Sequence, residues 1–298
     1  MKFTIQGGKK LGGEITLGGA KNAATKMLVA SLLTSEPVVL HNTPNIGDVA
    51  ITQELCELVG SSVTRDNNTV TIHTPEIKNT RVISLSRKNR IPVLALGPLL
   101  ARTGEAEIPL LGGDKIGPRP IDMHLEALKE MGATIEKRES SYYAHAKNRL
   151  RGVKIQLRYP SVGATENTIL AATLAKGRTV IENAATEPEI IDLIKMLQNM
   201  GAIIELGANR TIYIDGVTSL RGIEHTIPPD RNEAASFACL AVASRGDVFI
   251  RNAKQDHLIT FLNALRKVGG EYKVENAGIR FWKEKNLKVI KIYPNDLF

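Results

Sequence analysis

Aromatic residues, cysteines and long apolar runs are all scarce in this sequence. Only 4% of its 298 residues are Phe, Trp or Tyr, which argues against a surface on which nucleic-acid bases stack. No segment approaches the roughly 18 uninterrupted apolar residues of a membrane-spanning helix, and residues 1–8 lack the apolar centre of a signal peptide. We therefore expect a cytoplasmic protein with neither a membrane nor a nucleic acid as its partner.

The small number of cysteines limits the chemistry as well. Cys56 and Cys239 are far apart, and neither has a His or Cys at metal-ligand spacing. Each lies in an apolar helical pattern, so we expect two buried thiols. Neither a metal nor a cofactor is expected.

The rest of the composition is typical of a globular protein. Apolar residues make up 43% and charged residues 23% of the chain, and its length predicts about two domains. The net charge is +8, yet Lys and Arg are scattered along the chain. A cleft for small phosphorylated anions explains this charge better than nucleic-acid binding does, because a walled site with clustered positive charge concentrates such anions.

A pattern of about 70 residues occurs four times in the chain. Each copy has an apolar helix, a short turn, a β-type run, a loop and a second helix that ends in glycine. The closing glycines, spaced 72, 69 and 68 residues apart, are Gly60, Gly132, Gly201 and Gly269. Glycine suits this position because the residue that ends a helix often takes a left-handed conformation. An alternating run follows, as at 203–214, and predicts a half-buried hairpin.

Each copy therefore predicts a βαβαββ unit in an α/β protein. The helices predicted at 94–101 and 169–175 are apolar nearly all round, which is typical of helices enclosed at the centre of a domain. Because one unit cannot bury both its helices and its sheet, several units must pack together. The alternative is an ordinary α/β sandwich whose segments resemble one another by chance.

Two glycine-containing motifs indicate anion binding. In Gly18-Gly19-Ala20-Lys21-Asn22, glycines precede a helix start at which backbone N–H groups and an ammonium can meet an anion. In residues 111–124, three glycines and two prolines form a long loop of the kind that acts as a lid. Arg119 in that loop can bind a phosphate or carboxylate through two hydrogen bonds.

Together, the repeat and these motifs resemble the UDP-N-acetylglucosamine enolpyruvyl transferase family. The resemblance implies an inside-out α/β barrel fold, with two domains of three units each and the active site between them. Residues 20–228 would form one complete three-unit domain, and residues 1–19 and 229–298 part of the second. Because six units would need roughly 420 residues, the fifth and sixth units are expected to be largely missing.

The resemblance also implies a reaction and a set of site residues. The enolpyruvyl group of phosphoenolpyruvate passes to the 3′-hydroxyl of UDP-N-acetylglucosamine, the first committed step of peptidoglycan precursor synthesis and hence of cell-wall formation, cell shape and division. Lys21, Arg90 and Arg119 would bind phosphoenolpyruvate, and Asn22 the amino sugar. The uridine and diphosphate end would lie against Pro120, Ile121, Asp122, Met123, Ser161, Val162 and Gly163.

Two aspartates would move protons. Asp114 stands where most members carry the Cys that protonates phosphoenolpyruvate, and an aspartic acid can do so if burial or a bound phosphate raises its pKa. This predicts insensitivity to fosfomycin, which alkylates the thiol. Asp296 would accept the proton of the sugar hydroxyl. The alternatives are a carboxylate that shapes the loop at Asp114 and an incidental acid in a frayed terminus at Asp296.

Two departures from the family leave other functions open. Tyr159 stands where some members carry Lys, so that contact is replaced by ring packing or lost. The resemblance places further anion-binding arginines in the last units, which are expected to be largely missing, so we expect little or no transferase activity, or a piece of a longer product. The alternatives are a 3-phosphoshikimate enolpyruvyl transferase relative and a noncatalytic UDP-sugar-binding paralogue.

Overall fold

The computed structural model describes residues 2–85, 90–110, 112, 120–283 and 286–291. The chain separates into two units. The larger is Lys21–Pro228, and the smaller consists of Met1–Ala20 and Pro229–Phe298. The predicted site residues Asp114, Arg119 and Asp296 lie outside the described residues.

Helices and strands follow one another as four repeats. Strand β1 (Gly12–Thr16) precedes the first repeat, which consists of α1 (Lys21–Ala30), the 3₁₀ helix Ser31–Leu33, β2 (Val38–His41), α2 (Gly47–Leu58), β3 (Ser62–Asp66) and β4 (Thr69–His73). The second consists of the 3₁₀ helix Ile91–Ala95, α3 (Leu96–Thr103), β5 (Glu105–Pro109), α4 (Asp122–Glu130), β6 (Thr134–Lys137) and β7 (Ser141–His145). The third consists of β8 (Lys154–Gln156), α5 (Val162–Thr173), β9 (Arg178–Glu182), α6 (Pro188–Asn199), β10 (Ile203–Leu206) and β11 (Ile212–Asp215). Strand β12 (Glu224–Thr226) leads to the fourth, which consists of α7 (Arg231–Ala243), β13 (Asp247–Arg251), α8 (Ile259–Val268), β14 (Gly270–Glu275) and β15 (Gly278–Lys283).

The predicted βαβαββ unit is confirmed most directly in the third repeat. Strands β8 and β9 pair in parallel with α5 between them, and β10 and β11 form the antiparallel hairpin. In the first repeat the leading strand is β12, which pairs in parallel with β2 from the far end of the larger unit. In the fourth it is β1, which pairs in parallel with β13.

The four closing glycines have the backbone conformation that their position requires. Their φ angles are +107° at Gly60, +104° at Gly132, +105° at Gly201 and +106° at Gly269. Residues other than glycine rarely adopt a positive φ of this size, since their Cβ atom would crowd the following carbonyl. The period in the sequence therefore reflects a backbone turn repeated in every unit.

Helices α3 and α5 lie at the centre of the larger unit, as their apolar composition predicts. Residues 96–100 of α3 and 164–173 of α5 are all buried. The two helices approach closely at Gly97, where an added Cβ would lie 2.8 Å from the Asn167 side-chain oxygen and 2.9 Å from its carbonyl oxygen. Any larger residue would force the helices apart.

The smaller unit has its own core between α7 and its sheet. Asp230 caps α7 by accepting hydrogen bonds from the N–H groups of Asn232 (2.7 Å) and Glu233 (3.2 Å). The prediction of two buried thiols is wrong for Cys239, which is exposed, whereas Cys56 is buried. The reason is that α7 packs on the sheet through its other side, with Ala234, Ala238, Ala241 and Val242 buried. Among the described residues, no helix has both the length and the apolar character needed to cross a membrane.

Candidate active site

A cleft of about 860 Å³ opens in the larger unit where several helices begin. Lys21 and Asn22 start α1, Asp48 lies in the first turn of α2, and 161–163 start α5. The first N–H groups of a helix have no partner within it, and they carry part of the positive end of the helix dipole. Helix starts directed at one cleft make a binding site for anions.

Cationic side chains line the same cleft. The Lys21 ammonium lies 2.6 Å from a carboxylate oxygen of Asp48, so an anionic ligand there would compete with or bridge to an existing ion pair. Arg90 donates a hydrogen bond to the carbonyl oxygen of Pro120 at 3.2 Å. This bond holds Arg90 beside Pro120, the first described residue after the glycine-rich segment of the sequence.

The start of α5 fits closely against α4. The Ser161 hydroxyl caps α5 by accepting a hydrogen bond from the Ala164 N–H at 3.3 Å. A Cβ added at Gly163 would lie 3.0 Å from two ring atoms of His124, so glycine lets the start of α5 approach this imidazole. Tyr159 lies beside this start with half of its surface exposed to the cleft and solvent (50%).

A buried amide decides which ring nitrogen of His124 carries the proton. The Asn167 Oδ1 accepts from the Gly97 N–H at 3.1 Å, which leaves Nδ2 to donate to the carbonyl of Val93 at 3.3 Å and to Nδ1 of His124 at 3.4 Å. Burial, reinforced by the charge of Arg90, lowers the pKa of His124 to about 4. The imidazole is therefore neutral, and because Nδ1 accepts a hydrogen bond, its proton is on Nε2.

One ion pair lies deeper in the cleft, one helical turn below the residues at the helix starts. The Lys26 ammonium is 3.9 Å from an oxygen of Glu166. Burial raises the pKa of Glu166 to about 7, with Lys26 opposing and Glu189 and Glu187 adding to the rise. The cleft therefore combines fixed cations, helix starts, a neutral imidazole and a carboxyl group that titrates near neutral pH.

Comparison with known proteins identifies the family. The family model for EPSP synthase (3-phosphoshikimate 1-carboxyvinyltransferase) matches residues 5–296. The UDP-N-acetylglucosamine 1-carboxyvinyltransferase of Chlamydia pneumoniae is 52% identical over 282 residues, which cover 93% of this chain and 62% of that protein. UDP-N-acetylglucosamine 1-carboxyvinyltransferase 1 of Staphylococcus aureus (strain MRSA252) is 42% identical over 99% of this chain and 73% of that protein. This chain belongs to the UDP-N-acetylglucosamine 1-carboxyvinyltransferase family.

A solved structure supports the fold of this carboxyvinyltransferase family member. The enolpyruvyl transferase NikO from Streptomyces tendae matches with a TM-score of 0.82 at 21% identity, over 93% of this chain and 67% of that one. The chain spans less than two thirds of the length of several chlamydial relatives, 62–65%. Those relatives nevertheless match 93–95% of this chain, which gives no support to the expectation that activity is lost.

The structure brings together most of the described site residues that the carboxyvinyltransferase resemblance implies. Eight line the cleft, namely Lys21, Asn22, Arg90, Pro120, Met123, Ser161, Val162 and Gly163. Ile121 is buried and does not line it. Asp122 also lies outside the lining, because its carboxylate pairs with Arg158 and accepts from the Met123 N–H at 2.9 Å. Burial opposes these bonds, yet together they hold the pKa of Asp122 below its usual value.

Sequence reasoning missed several residues of the carboxyvinyltransferase cleft. These are Lys26, Asp48, His124, Glu166 and Glu187. For two of them a signal was present, since Lys26 follows Asn22 and Glu166 follows Val162 by four residues, which puts each on the cleft side of its helix. A charge at that spacing inside an otherwise apolar helix is the pattern that could have found them.

Proposed function

We propose that this chain transfers the enolpyruvyl group of phosphoenolpyruvate to the 3′-hydroxyl of UDP-N-acetylglucosamine. The observation that carries the proposal is the convergence of helix starts with Lys21 and Arg90 on one cleft. The names of the relatives supply UDP-N-acetylglucosamine as the acceptor and a carboxyvinyl group as the group transferred, and the family resemblance supplies phosphoenolpyruvate as its donor. In the cell this would be the first committed step of peptidoglycan precursor synthesis, in the cytoplasm, and so would serve cell shape and division.

The proposed reaction needs fixed positive charge more than any other feature. The sugar hydroxyl oxygen bonds to C2 of phosphoenolpyruvate and loses its proton, while C3 gains one, which gives a tetrahedral adduct. The adduct then loses a proton from C3 while the bond between C2 and the phosphate oxygen breaks. The products are the enol ether and inorganic phosphate. Lys21 and Arg90 would bind the phosphate and carboxylate throughout, and charges already in place stabilise such a reaction more than mobile ones.

Three further roles are assigned to residues outside the described part of the chain. Asp114 would supply the proton to C3, Asp296 would take the proton of the sugar hydroxyl, and Arg119 would add positive charge over phosphoenolpyruvate. The insensitivity to fosfomycin expected from Asp114 stays a prediction. On the UDP side, Asn22 would bind the amino sugar, and Pro120, Met123 and 161–163, which line the cleft, the uridine and diphosphate.

We also propose a domain organisation. The larger unit would be a complete domain of three repeats, with its first sheet closed by β12. The smaller unit would be part of a second domain of the same kind, with β1 as the leading strand of its repeat.

Release of phosphate from phosphoenolpyruvate by the purified chain tests the proposal. We expect release that depends on UDP-N-acetylglucosamine and is not supported by shikimate 3-phosphate. Lys21→Met should lower kcat/KM by on the order of 10²–10³, the usual effect of removing one fixed electrostatic group. The control is Lys195→Met, which removes an exposed lysine on α6 outside the cleft and should leave kcat/KM unchanged. Binding of the UDP-sugar without phosphate release would favour a noncatalytic sugar-binding protein instead.

A further inference from the structure

Glu166 lies at the floor of the cleft in an environment that a carboxylate tolerates poorly. Its side chain is only 1% exposed, and neither carboxylate oxygen has a hydrogen-bond partner among the described residues. An unpaired buried carboxylate costs several kcal/mol unless it takes up a proton or finds a cation. Among the described residues its ion-pair partner is Lys26, and their separation of 3.9 Å is too long for a hydrogen bond.

Lys26 has hydrogen-bonding capacity to spare. The ammonium carries three N–H donors, and within the described part of the chain no hydrogen bond from it is found. Both residues line the cleft, but the Lys26 side chain is 15% exposed whereas the carboxylate oxygens of Glu166 are shielded. A ligand in the cleft can therefore reach Lys26 and not the carboxylate oxygens of Glu166.

The other charges near Glu166 make it sensitive to an arriving anion. The segment that starts α6 presents the acids Glu187 and Glu189, and α4 presents the neutral imidazole of His124. The residues that α3 and the 3₁₀ helix Ile91–Ala95 bury are all uncharged. Strand β9 buries Thr179 and Ile181, and β11 buries Ile212 and Ile214. Lys26 is thus the cation that favours the ionised form of Glu166.

From this arrangement we propose that Lys26 is a further anion-binding residue of the cleft, that Glu166 positions it, and that Glu166 takes up a proton when an anion binds Lys26. The anion is a phosphate or carboxylate group of a substrate, so the identity of the ligand rests on the proposed function. Lys26 would turn its N–H donors to the ligand, and the carboxylate left behind would take one proton from solvent. Once Glu166 is neutral, it no longer offsets the positive charge of Lys26, which then acts on the substrate alone.

Proton uptake should be measurable because Glu166 has a pKa of about 7 before the anion arrives. Calorimetric titrations at a pH of about 7.5 in two buffers of different ionisation enthalpy count the protons taken up on binding. Sulfate and UDP-N-acetylglucosamine are suitable probes because neither changes protonation near this pH. Phosphoenolpyruvate is the third probe, and the probes that show the uptake identify which substrate group binds Lys26.

We expect the wild-type chain to take up roughly half a proton or more per bound ligand beyond what Glu166→Gln takes up. Lys26→Met should weaken binding of the same probe by roughly tenfold or more, and Lys26→Arg should restore most of it. Lys195→Met, a matched change on the exposed face of α6, should alter neither quantity. Sulfate with the unmodified chain supplies a result even if a variant fails to fold.

Other outcomes would overturn the proposal. If Lys26→Met lowers the melting temperature but leaves affinity and proton uptake as in the wild type, the pair only joins α1 to α5. Binding without proton uptake, or no binding of any probe, would also reject it. Turnover without proton uptake would reject this inference and leave the proposed function standing. Proton uptake and Lys26-dependent binding without turnover would support this inference and reject the proposed function.

Discussion

At the scale of single residues, Glu166 makes stability depend on pH in a direction opposite to that of most acidic groups. Its pKa is about 7 in the folded chain against an ordinary 4.5, because burial favours the neutral form. The folded state therefore holds this proton more tightly than the unfolded state does. Stability from Glu166 is complete below about pH 4.5 and is lost as the pH rises through 7.

Replacing the carboxyl group should remove this loss of stability. Between about pH 6 and pH 8 the wild-type chain should lose about 1 kcal/mol of unfolding free energy through Glu166, whereas Glu166→Gln should lose none from this source. His124 acts in the opposite sense, since its pKa of about 4 lies below the ordinary 6.5 and its contribution to stability is lost as the pH falls below about 6.5; it is the same in both chains and cancels in their difference. Urea unfolding followed by far-UV circular dichroism at both pH values gives the difference. Equal pH slopes for the two chains would show that Glu166 is ionised throughout.

The sequence points to residues that line the cleft where a motif surrounds them, and it misses those whose place depends on burial. Some residues lie at helix starts next to glycines or a helix-capping residue, namely Lys21, Asn22 and 161–163. The local sequence is therefore enough to identify them as candidates for anion binding. The roles of His124 and Glu166 depend on which other helices cover them. That information is absent from the local pattern, because α4 and α5 meet only in the folded unit.

At the scale of elements, an asparagine with positive φ follows the strand after the first helix in three repeats. The angles are +56° at Asn42, +54° at Asn183 and +67° at Asn252. In the first and third repeats its side-chain N–H donates at 2.9 Å to the residue just after the leading strand, Ile227 and Leu157 respectively. The asparagine thus joins the ends of two parallel strands. In the second repeat Leu110 holds this position.

Replacement of Asn183 should separate the contribution of its left-handed backbone from that of its side-chain hydrogen bond. Asn183→Ala should lower the unfolding free energy of the larger unit by about 2 kcal/mol, through the left-handed backbone and the lost hydrogen bond together. Asn183→Gly should cost only about half as much, because glycine adopts positive φ without strain. Urea unfolding of both variants measures the two values. Equal losses would mean that the backbone conformation at Asn183 carries no cost.

The elements themselves could largely be predicted, but their partners could not. The closing glycines and the alternating runs predicted helices, hairpins and the period. The leading strands of the first and fourth repeats could not be predicted from the sequence pattern, because β12 and β1 are distant in sequence from the strands with which they pair. The exposure of Cys239 was missed for a related reason, since an apolar helix pattern does not show which of its sides is covered.

At the scale of the whole molecule, the smaller unit has a core built from its own residues. Its apolar cluster includes Leu17 from the N-terminal stretch and Ile250, Ile279 and Phe281 from the fourth repeat. The expectation that the N-terminal stretch and the fourth repeat belong to one domain came only from the family resemblance. Periodicity alone places a boundary after each repeat and cannot show that residues near the N-terminus pack against the fourth.

Separate cores predict separate unfolding transitions, and the chain contains a natural probe for one of them. The single tryptophan, Trp282, lies on β15 of the smaller unit, whereas six of the eight described α-helices belong to the larger unit and dominate the circular dichroism. Phe281 is fully buried beside it, so Phe281→Ala should lower the stability reported by Trp282 fluorescence by about 3–5 kcal/mol. Most of the circular dichroism transition should stay in place.

The matched variant Leu99→Ala removes a fully buried side chain from α3 in the larger unit and should do the opposite. Its circular dichroism transition should move to lower urea by an amount equivalent to about 2–5 kcal/mol, while the fluorescence transition stays where it is. If each substitution instead moved both signals together, the chain would unfold as one cooperative body despite its two cores. In that case Phe281→Ala would also weaken binding in the cleft near the midpoint of unfolding, since the larger unit would lose its structure at the same urea concentration.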